Sequence, residues 1–302
     1  MGTRTLRWRL AALAGLLLAG LPQLASAAGR QATATTQPTY YLALGDSLAT
    51  GYQPPAGVTL TACAFSAGGY AGGYACDLSQ ALQKANPSLQ AVNLSCPGET
   101  TTSMLTGAGS PCYSAGPSQL LQAVQFLKAH RGQMALVTLD IGANNVDGCA
   151  SLSGISLSCV DQGLQAVGTQ LPVILAALRQ AAGPRVPIVG MNYYDPFLAA
   201  YLLGTPTGAV LAMQSVGVTV LFNQLLDGIY ALAGDPVADV QDTFQTQNFA
   251  PDWSFGGLPT NVALICQWTW MCNLQNIHAN DTGYTAIAGT FEQIPVVARL
   301  LS

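Results

Sequence analysis

The chain has 302 residues, of which half are hydrophobic and 8% are charged, a balance that excludes a disordered chain and requires a packed core. It carries 10 Lys and Arg against 14 Asp and Glu, and it contains only two histidines. An acidic chain without a basic cluster is not expected to bind nucleic acid, because such binding depends on Lys and Arg contacts to phosphates. The scarcity of histidine also excludes most His-rich metal sites.

The N-terminus is typical of an export signal. Three arginines within the first nine residues give a positive start, an apolar run follows over residues 10–21, and a small-x-small cleavage motif ends at Ala27. The run is too short to span a bilayer, which takes roughly 20 apolar residues. We therefore predict a signal peptide over 1–27, a flexible leader over 28–38, and a secreted protein with no integral membrane segment in its mature part.

Short apolar, β-rich runs then alternate with longer segments of helical spacing. Strands are predicted over 40–44, 89–94, 134–141, 186–192 and 237–241, and the clearest helices over 77–84, 118–130, 162–182 and 216–233. This alternation predicts an α/β fold with a parallel sheet covered on both faces by helices, and continuous apolar strands fit that burial. We expect one domain over 39–302, with functional residues after the carboxyl ends of the strands.

Three candidate residues follow the first three predicted strands. Ser47 lies in Gly-Asp-Ser where the first strand turns into a helix, and a serine hydroxyl there becomes a nucleophile if a base takes its proton. An N-cap serine is the alternative interpretation. Gly98 could donate its backbone N–H to an oxyanion, and Asn144 its side-chain amide. Glycine and asparagine are also ordinary turn residues, so each signal alone is weak.

A base for this serine must come from one of the two histidines. His130 closes a predicted helix, where capping and the helix dipole explain it. His278 lies in a polar loop before a predicted C-terminal helix, and no comparable structural role explains it. His278 is therefore the candidate base.

In this order, Gly-Asp-Ser near the mature N-terminus, Gly98, the Gly-x-Asn of Asn144 and His278 near the C-terminus resemble the motif blocks of the SGNH (GDSL) hydrolase family. The resemblance covers nearly the whole mature chain and is closest to the secreted actinobacterial-type esterases and lipases. It implies a three-layer α/β/α sandwich of the flavodoxin-like type and ester hydrolysis with neither a metal nor a cofactor. It also implies that Ser47 is the nucleophile and His278 the base. The oxyanion hole would consist of the Ser47 and Gly98 N–H groups and the Asn144 side chain.

The chain departs from the family pattern beside the histidine. The family places Asp three residues before His278, where this chain has Gln275, followed by Asn276. Gln275 and Asn276 are the possible orienters of the imidazole. Three alternatives stay open: a main-chain carbonyl near Gln275 orients the imidazole in a Ser-His dyad, a distant carboxylate such as Asp252 or Asp281 replaces the Asp, or the protein is a weakened or inactive homologue. We favour the dyad, because a carbonyl acceptor is sufficient to fix the imidazole tautomer.

Eight cysteines in an exported chain suggest disulfides. Their order along the chain favours four local pairs, although other pairings stay open: Cys63–Cys76, Cys96–Cys112, Cys149–Cys159 and Cys266–Cys272. Zinc is the weaker interpretation, since the chain has no Cys-x-x-Cys motif.

Low charge and a large apolar content favour a small-molecule or lipid ester as the substrate, so a lipase or carboxylesterase is the leading prediction. A carbohydrate or peptidoglycan O-acetylesterase is the alternative enzyme, and a non-catalytic surface-binding homologue is the alternative from another class. The apolar stretch over 198–222 either contacts lipid or packs on the sheet. We expect the protein to act as a monomer.

Overall fold

A computed structural model describes residues 40–54, 72–151 and 153–302. These residues belong to one compact unit, which comprises residues 37–302. The predicted signal peptide and leader lie outside the described residues, and so does Cys63 with the pairing proposed for it.

The described strands comprise the five predicted ones and four two-residue strands that no predicted run covers. They are β1 (Tyr40–Gly45), β2 (Gln90–Asn93), β3 (Met134–Asp140), β4 (Ala150–Ser151), β5 (Gly154–Ile155), β6 (Ile188–Met191), β7 (Val237–Ala238), β8 (Pro251–Asp252) and β9 (Leu258–Pro259). Five of them form one parallel sheet in the order β2-β1-β3-β6-β7, and the others form two small antiparallel ribbons. This strand order is that of flavodoxin-like folds, which confirms the predicted class.

Helices connect the parallel strands. They are α1 (Ser47–Thr50), α2 (Tyr74–Ala85), α3 (Thr101–Thr106), α4 (Gln119–Ala129), α5 (Leu157–Ala182), α6 (Pro206–Ala233), α7 (Val240–Thr243), α8 (Thr260–Trp268), α9 (Met271–Leu274), α10 (Asp281–Glu292) and α11 (Pro295–Ala298), and a 3₁₀ helix covers Pro196–Leu203. α2 packs against α10, whereas α5 packs between α4 and α6. Because parallel crossovers are right-handed, the reversal of strand order at β1 puts α2 on one face of the sheet and α4, α5 and α6 on the other.

One predicted strand was too long at its carboxyl end. The prediction over 237–241 is correct only to Ala238, because the Asp239 side chain accepts the Asp242 N–H at 3.0 Å and starts α7. An aspartate at a helix N-cap accepts a hydrogen bond from a backbone N–H of the first helical turn. In a strand, that N–H would instead bond to the neighbouring strand of the sheet.

The core lies between the sheet and its helices. Every residue of β3 is buried, as are all residues of β1 after the first. A fully buried Leu or Val side chain contributes about 1.5–3 kcal/mol to folding, so these two adjacent strands anchor the sheet. The Tyr41 hydroxyl lies 2.9 Å from the Thr138 hydroxyl, which satisfies two polar groups inside this core.

Disulfides close three loops in the described residues: Cys96–Cys112, Cys149–Cys159 and Cys266–Cys272. These are three of the four pairings favoured by proximity along the chain. The third spans the segment that precedes His278.

α6 is long and apolar enough, by length and composition alone, to cross a membrane. In this fold it packs against α5 and against the 3₁₀ helix. For the 198–222 stretch, the sequence left lipid contact and packing on the sheet as alternatives. Its buried side chains, among them Leu198, Leu211, Val216 and Phe222, belong to the same hydrophobic core as the strands of the sheet.

Candidate active site

Ser47 is the first residue of α1, directly after the carboxyl end of β1. Asp46 caps this helix, since its Oδ1 accepts the Leu48 N–H at 2.9 Å, and Asp140 Oδ2 accepts the Ala49 N–H at 3.0 Å. Carboxyl groups therefore bind the second and third N–H groups of α1. The remaining N–H of that first turn belongs to Ser47 itself.

Gly45 makes the sharp turn that presents Ser47. Its φ is +130°, a region that side chains rarely adopt, and a Cβ added there would collide with the backbone and carboxyl oxygens of Asp140. The Gln119 side chain holds this peptide with two hydrogen bonds: Gly45 N–H donates to Oε1 at 2.8 Å, and Nε2 donates to Gly45 O at 2.9 Å. The turn is thereby fixed from the start of α4.

A pair of buried carboxyl groups lies behind the nucleophile. Asp46 and Asp140 are hydrogen-bonded to each other, and burial together with the partner's charge raises the pKa of Asp140 well above its usual range. The Tyr74 hydroxyl donates to Asp140 at 3.0 Å, and the Tyr193 hydroxyl donates to Asp46 at 3.2 Å. Asp140 therefore stays protonated and donates to Asp46, which anchors the residue before Ser47.

The loop that carries His278 is held at both sides. Trp270 N–H donates to His278 O at 2.9 Å, and Thr269 pairs with Ala279 in an antiparallel bridge. Beyond the loop, Asn280 caps α10. The Tyr194 hydroxyl donates to the carbonyl of Ile277 at 2.7 Å, so the residue before the histidine is also fixed.

The structure brings Ser47 and His278 into direct contact, with Nε2 2.8 Å from Oγ. On the other side of the ring, Nδ1 lies 2.8 Å from Asn276 Oδ1, which also accepts the His278 backbone N–H at 3.1 Å. A backbone N–H can only donate, so this bond identifies the Asn276 atom as the amide oxygen. Nδ1 must then carry the proton, which leaves Nε2 to accept the hydrogen of Ser47.

The acceptor at Nδ1 differs from the predicted one. A main-chain carbonyl near Gln275 was expected, but the Asn276 side chain occupies that position, while Gln275 is exposed in a left-handed conformation with a φ of 51°. The distant carboxylates are engaged elsewhere: Asp281 accepts from Gln53 at 2.6 Å, and Asp252 caps a 3₁₀ turn. The favoured main-chain carbonyl was therefore wrong, whereas Asn276, the second of the two candidate orienters, supplies the acceptor through its side chain.

The acceptor at Nδ1 is a neutral amide, which stabilises the imidazolium less than a carboxylate would, so the neutral imidazole is favoured. Burial lowers the pKa of His278 to about 4. The Tyr52 ring contacts the imidazole, with centroids 4.6 Å apart and ring planes tilted by 57°.

Gln53 connects the serine and histidine segments. Its Nε2 donates to Asp281 Oδ1 at 2.6 Å, at the start of α10, and its Oε1 accepts from Trp270 Nε1 at 3.1 Å. Gln53 is buried and lies six positions after Ser47, so one side chain sets the spacing between two regions far apart in sequence.

Asn144 lies in the same cleft as Ser47 and His278, and its Nδ2 donates to Glu99 O at 3.0 Å. An amide nitrogen carries two hydrogens, so the second can serve a bound oxyanion. Gly98 adjoins Glu99 in an exposed turn with a φ of 79° and does not contribute to the lining of that cleft. Its proposed place in the oxyanion hole stays a prediction.

The cleft holds about 740 Å³, including space open to solvent, and its wall is mainly apolar. Lining side chains include Val146, Val160, Phe197, Val218, Phe222 and Ile277. Asp147 also lines the cleft and places a carboxyl group in this mainly apolar wall. Burial raises its pKa to about 8, with the charges of Asp46 and Asp195 adding to the effect, so the protonated form of Asp147 predominates at pH 7.

Comparison with known proteins agrees with this geometry. The model of the GDSL-like Lipase/Acylhydrolase family matches residues 43–286, a range that contains Ser47, Asn144 and His278. The chain belongs to this family. A search of curated proteins finds no match.

Several solved structures have a similar fold, and two of them illustrate the likeness. A protein designated a GDSL-like lipase from Parabacteroides merdae has 12% identity and a TM-score of 0.54, over 88% of this chain and 98% of that one. Axe2, an acetylxylan esterase from Geobacillus stearothermophilus, has 15% identity and a TM-score of 0.51, over 89% of this chain and 96% of that one. At such identities the likeness shows the family fold alone.

Sequence reasoning missed several residues that position this GDSL site. Asp140 ends β3 and could have been noticed as a charged residue closing an apolar strand. Gln119, Gln53 and Tyr193 carried no signal, because amides and tyrosines at such positions are common on protein surfaces. His130 has the structural role predicted for it, with Nδ1 2.9 Å from Phe126 O.

Proposed function

We propose that the protein is a secreted serine ester hydrolase, a lipase or carboxylesterase, that forms an acyl-enzyme on Ser47 with His278 as the base. The 2.8 Å contact between Ser47 Oγ and His278 Nε2, inside a largely apolar cleft, carries this proposal. Belonging to the GDSL-like family supports ester chemistry, and the geometry supports the assignment of roles.

In the acylation step, Ser47 Oγ attacks the ester carbonyl carbon while its proton moves to His278 Nε2. The carbonyl oxygen becomes an oxyanion, and the Ser47 N–H and the Asn144 amide stabilise it. When the tetrahedral intermediate collapses, the bond from carbon to the alcohol oxygen breaks, and His278 returns the proton to that oxygen.

In the deacylation step, His278 Nε2 takes a proton from water, and the resulting oxygen attacks the acyl carbon. Collapse releases the carboxylic acid and returns the proton to Ser47 Oγ. Asn276 Oδ1 accepts a hydrogen bond from Nδ1–H throughout, so the imidazole keeps one orientation in both steps. A neutral amide stabilises the imidazolium less than a carboxylate would, which fits the low pKa of His278.

The apolar wall of the cleft favours an acyl chain of several carbons, carried by a small-molecule or lipid ester. The enzyme acts as a monomer and without a cofactor. Three disulfides in the described residues support secretion, because such bonds persist mainly in oxidising compartments.

Hydrolysis of p-nitrophenyl esters from acetyl to palmitoyl tests the proposal, with Ser47→Ala as the blank. A rate maximum at intermediate or long chains is expected. A maximum at acetyl, together with release of acetate from acetylated xylan, would favour an O-acetylesterase. No serine-dependent hydrolysis of any ester by folded, oxidised protein would favour a non-catalytic binding protein.

Asn276→Ala is expected to lower kcat/KM about 10-fold to 100-fold. Asn276→Ala removes the acceptor at Nδ1, and a hydrogen bond to a group that becomes charged contributes about 1.5–3 kcal/mol. Gln275→Ala is the matched control, because that neighbouring side chain is exposed and is expected to leave the rate unchanged. Steady-state kinetics on one ester compares the variants, and equal losses would contradict the assignment.

The acidic limb of the pH–rate profile should lie near pH 4, since His278 must be neutral to accept the serine proton. Asn276→Asp places a negative charge beside Nδ1, which favours the imidazolium and raises the pKa of His278. The limb should therefore move to higher pH. Gln275→Asp should not abolish activity and should move the limb less. An unchanged limb in Asn276→Asp would show that another group controls it.

Asp147 should make the cleft sensitive to alkaline pH. As the pH rises through about 8, this carboxyl group loses its proton and places a negative charge in the apolar wall. We expect KM for p-nitrophenyl octanoate to rise between pH 7 and 9.5, and expect Asp147→Asn to remove that rise. An identical rise in the variant would contradict this account.

A further inference from the structure

One tight turn joins the segment of the nucleophile to that of the oxyanion side chain. Residues 96–99 (Cys-Pro-Gly-Glu) follow β2 in the pattern of a type II turn, with Pro second and Gly98 third at a φ of 79°. The N–H of the fourth residue donates to the carbonyl of the first at 3.1 Å. The N–H of the first residue donates to Gly45 O at 3.0 Å, and the carbonyl of the fourth, Glu99, accepts from Asn144 Nδ2 at 3.0 Å. The turn therefore ties the peptide that presents the nucleophile to the amide proposed for the oxyanion hole.

The Glu99 carbonyl restricts the orientation of the Asn144 amide. It binds one hydrogen of Nδ2, so rotation of the amide is limited and the second hydrogen has a defined direction. The next residues strengthen this contact, since the Thr101 N–H donates to Asn145 Oδ1 at 3.0 Å and Asn145 Nδ2 donates to Thr101 Oγ1 at 3.0 Å. Three hydrogen bonds therefore join the two segments.

The Glu99 side chain is fully buried. Its Oε2 accepts the Ser110 hydroxyl at 2.7 Å, whereas Oε1 is buried without a hydrogen-bond partner in the described part of the chain. Ser110 lies in the loop that the Cys96–Cys112 disulfide closes, and its Oγ accepts the Tyr113 N–H at 3.1 Å. The carboxyl group is therefore attached to a covalently closed loop.

A buried carboxyl group with an unpaired oxygen destabilises a fold, so packing alone gives no reason for a glutamate at this position. Catalysis gives one, because an oxyanion donor is effective only when it is held in place before the charge develops. We infer that Glu99 is a positioning residue, whose buried carboxyl group, fixed by Ser110 in the disulfide loop, holds the turn that orients the Asn144 amide toward the oxyanion. This inference rests on the proposed ester hydrolase function, since it assigns a residue to the oxyanion hole of that reaction.

Glu99→Met tests the side chain, because methionine has a similar length but cannot replace the carboxylate as acceptor for Ser110. We expect kcat for p-nitrophenyl butyrate to fall about 10-fold to 100-fold with little change in KM, since loss of a whole oxyanion donor lowers kcat about 10²-fold to 10³-fold. Glu99→Gln, whose amide oxygen still accepts from Ser110, should restore kcat to within about 3-fold of the wild type. Glu292→Met is the matched control at the last residue of α10 and should leave both constants unchanged.

A double-mutant cycle with Asn144→Ala distinguishes positioning from a general loss of structure. Glu99→Met should have little further effect on kcat once the Asn144 amide is absent, whereas additive losses would overturn the inference. An unchanged kcat in Glu99→Met would also overturn it. If Glu99→Met fails to fold, Glu99→Met with Ser110→Ala takes its place in the cycle, because removal of both partners leaves no buried hydroxyl unpaired.

The side-chain amide resonances of Asn144 provide a readout that does not depend on catalysis. Proton–nitrogen NMR spectra identify this pair by its loss in Asn144→Ala. Glu99→Met should shift or broaden both resonances, and Glu292→Met should leave them in place. Unchanged resonances in Glu99→Met would overturn the positioning role whether or not the protein hydrolyses esters. Shifted resonances in a protein without serine-dependent hydrolysis would reject the proposed function alone.

Discussion

Ser47→Ala is expected to lower kcat for p-nitrophenyl esters by about 10⁴-fold to 10⁶-fold. The variant loses the atom that forms the acyl-enzyme, while the Asn144 amide and the apolar cleft are retained. Initial rates on one ester, at a concentration well above KM, measure the loss. Ser158→Ala, which changes an exposed serine at the start of α5, should have wild-type rates.

His278→Ala should lower kcat nearly as much as Ser47→Ala does. The double variant Ser47→Ala with His278→Ala should have a kcat no lower than that of either single variant. Nucleophile and base act as one unit, so removing either abolishes the same step. Additive losses would mean that the two residues act independently, which contradicts the 2.8 Å contact as the catalytic arrangement.

Gly45→Ala is expected to lower the free energy of unfolding by about 4 kcal/mol or more, through a strained φ and a collision with Asp140. Because the collision lies in the buried carboxyl pair, the hydrogen bonds of Asp46 and Ala49 would be disturbed with it. Urea unfolding of the purified variant measures the loss as a shift of the midpoint.

Gly228→Ala provides the matched control for Gly45→Ala. Gly228 lies in α6 with open space around the position of a Cβ, so alanine should stabilise the helix by roughly 0.5–1 kcal/mol. If Gly45→Ala unfolded at the same urea concentration as the wild type, the close approach to Asp140 would not be required for the fold.

The fold could be predicted from the sequence because its signals are local and redundant. Buried parallel strands form continuous apolar runs, and β1, β3 and β6 coincide with such runs to within two residues at each end. The error near residue 239 has a local cause as well. The β-rich run continues past Ala238, whereas the Asp239 side chain caps α7, so one polar residue outweighed the pattern.

The candidate site was predictable only where chemistry constrains residue type. A chain with two histidines, one explained by helix capping, leaves His278 as the base. Asn276 as an acceptor was not predictable to the atom, because its side chain reaches Nδ1 only through the turn that it makes with the His278 N–H. The pKa of Asp147 is raised by burial, which depends on how distant segments pack together, so the sequence around Asp147 does not predict the shift.

Covalent labelling tests the Ser47–His278 pair most directly. Incubation with a p-nitrophenyl alkylphosphonate should release one equivalent of p-nitrophenol as the Ser47 Oγ–phosphorus bond forms and the phenolate leaves. Peptide mass spectrometry should place the added mass on Ser47, and His278→Ala should slow the labelling by several orders of magnitude. Labelling of another residue, or continued ester hydrolysis by fully labelled enzyme, would contradict a serine mechanism at this site.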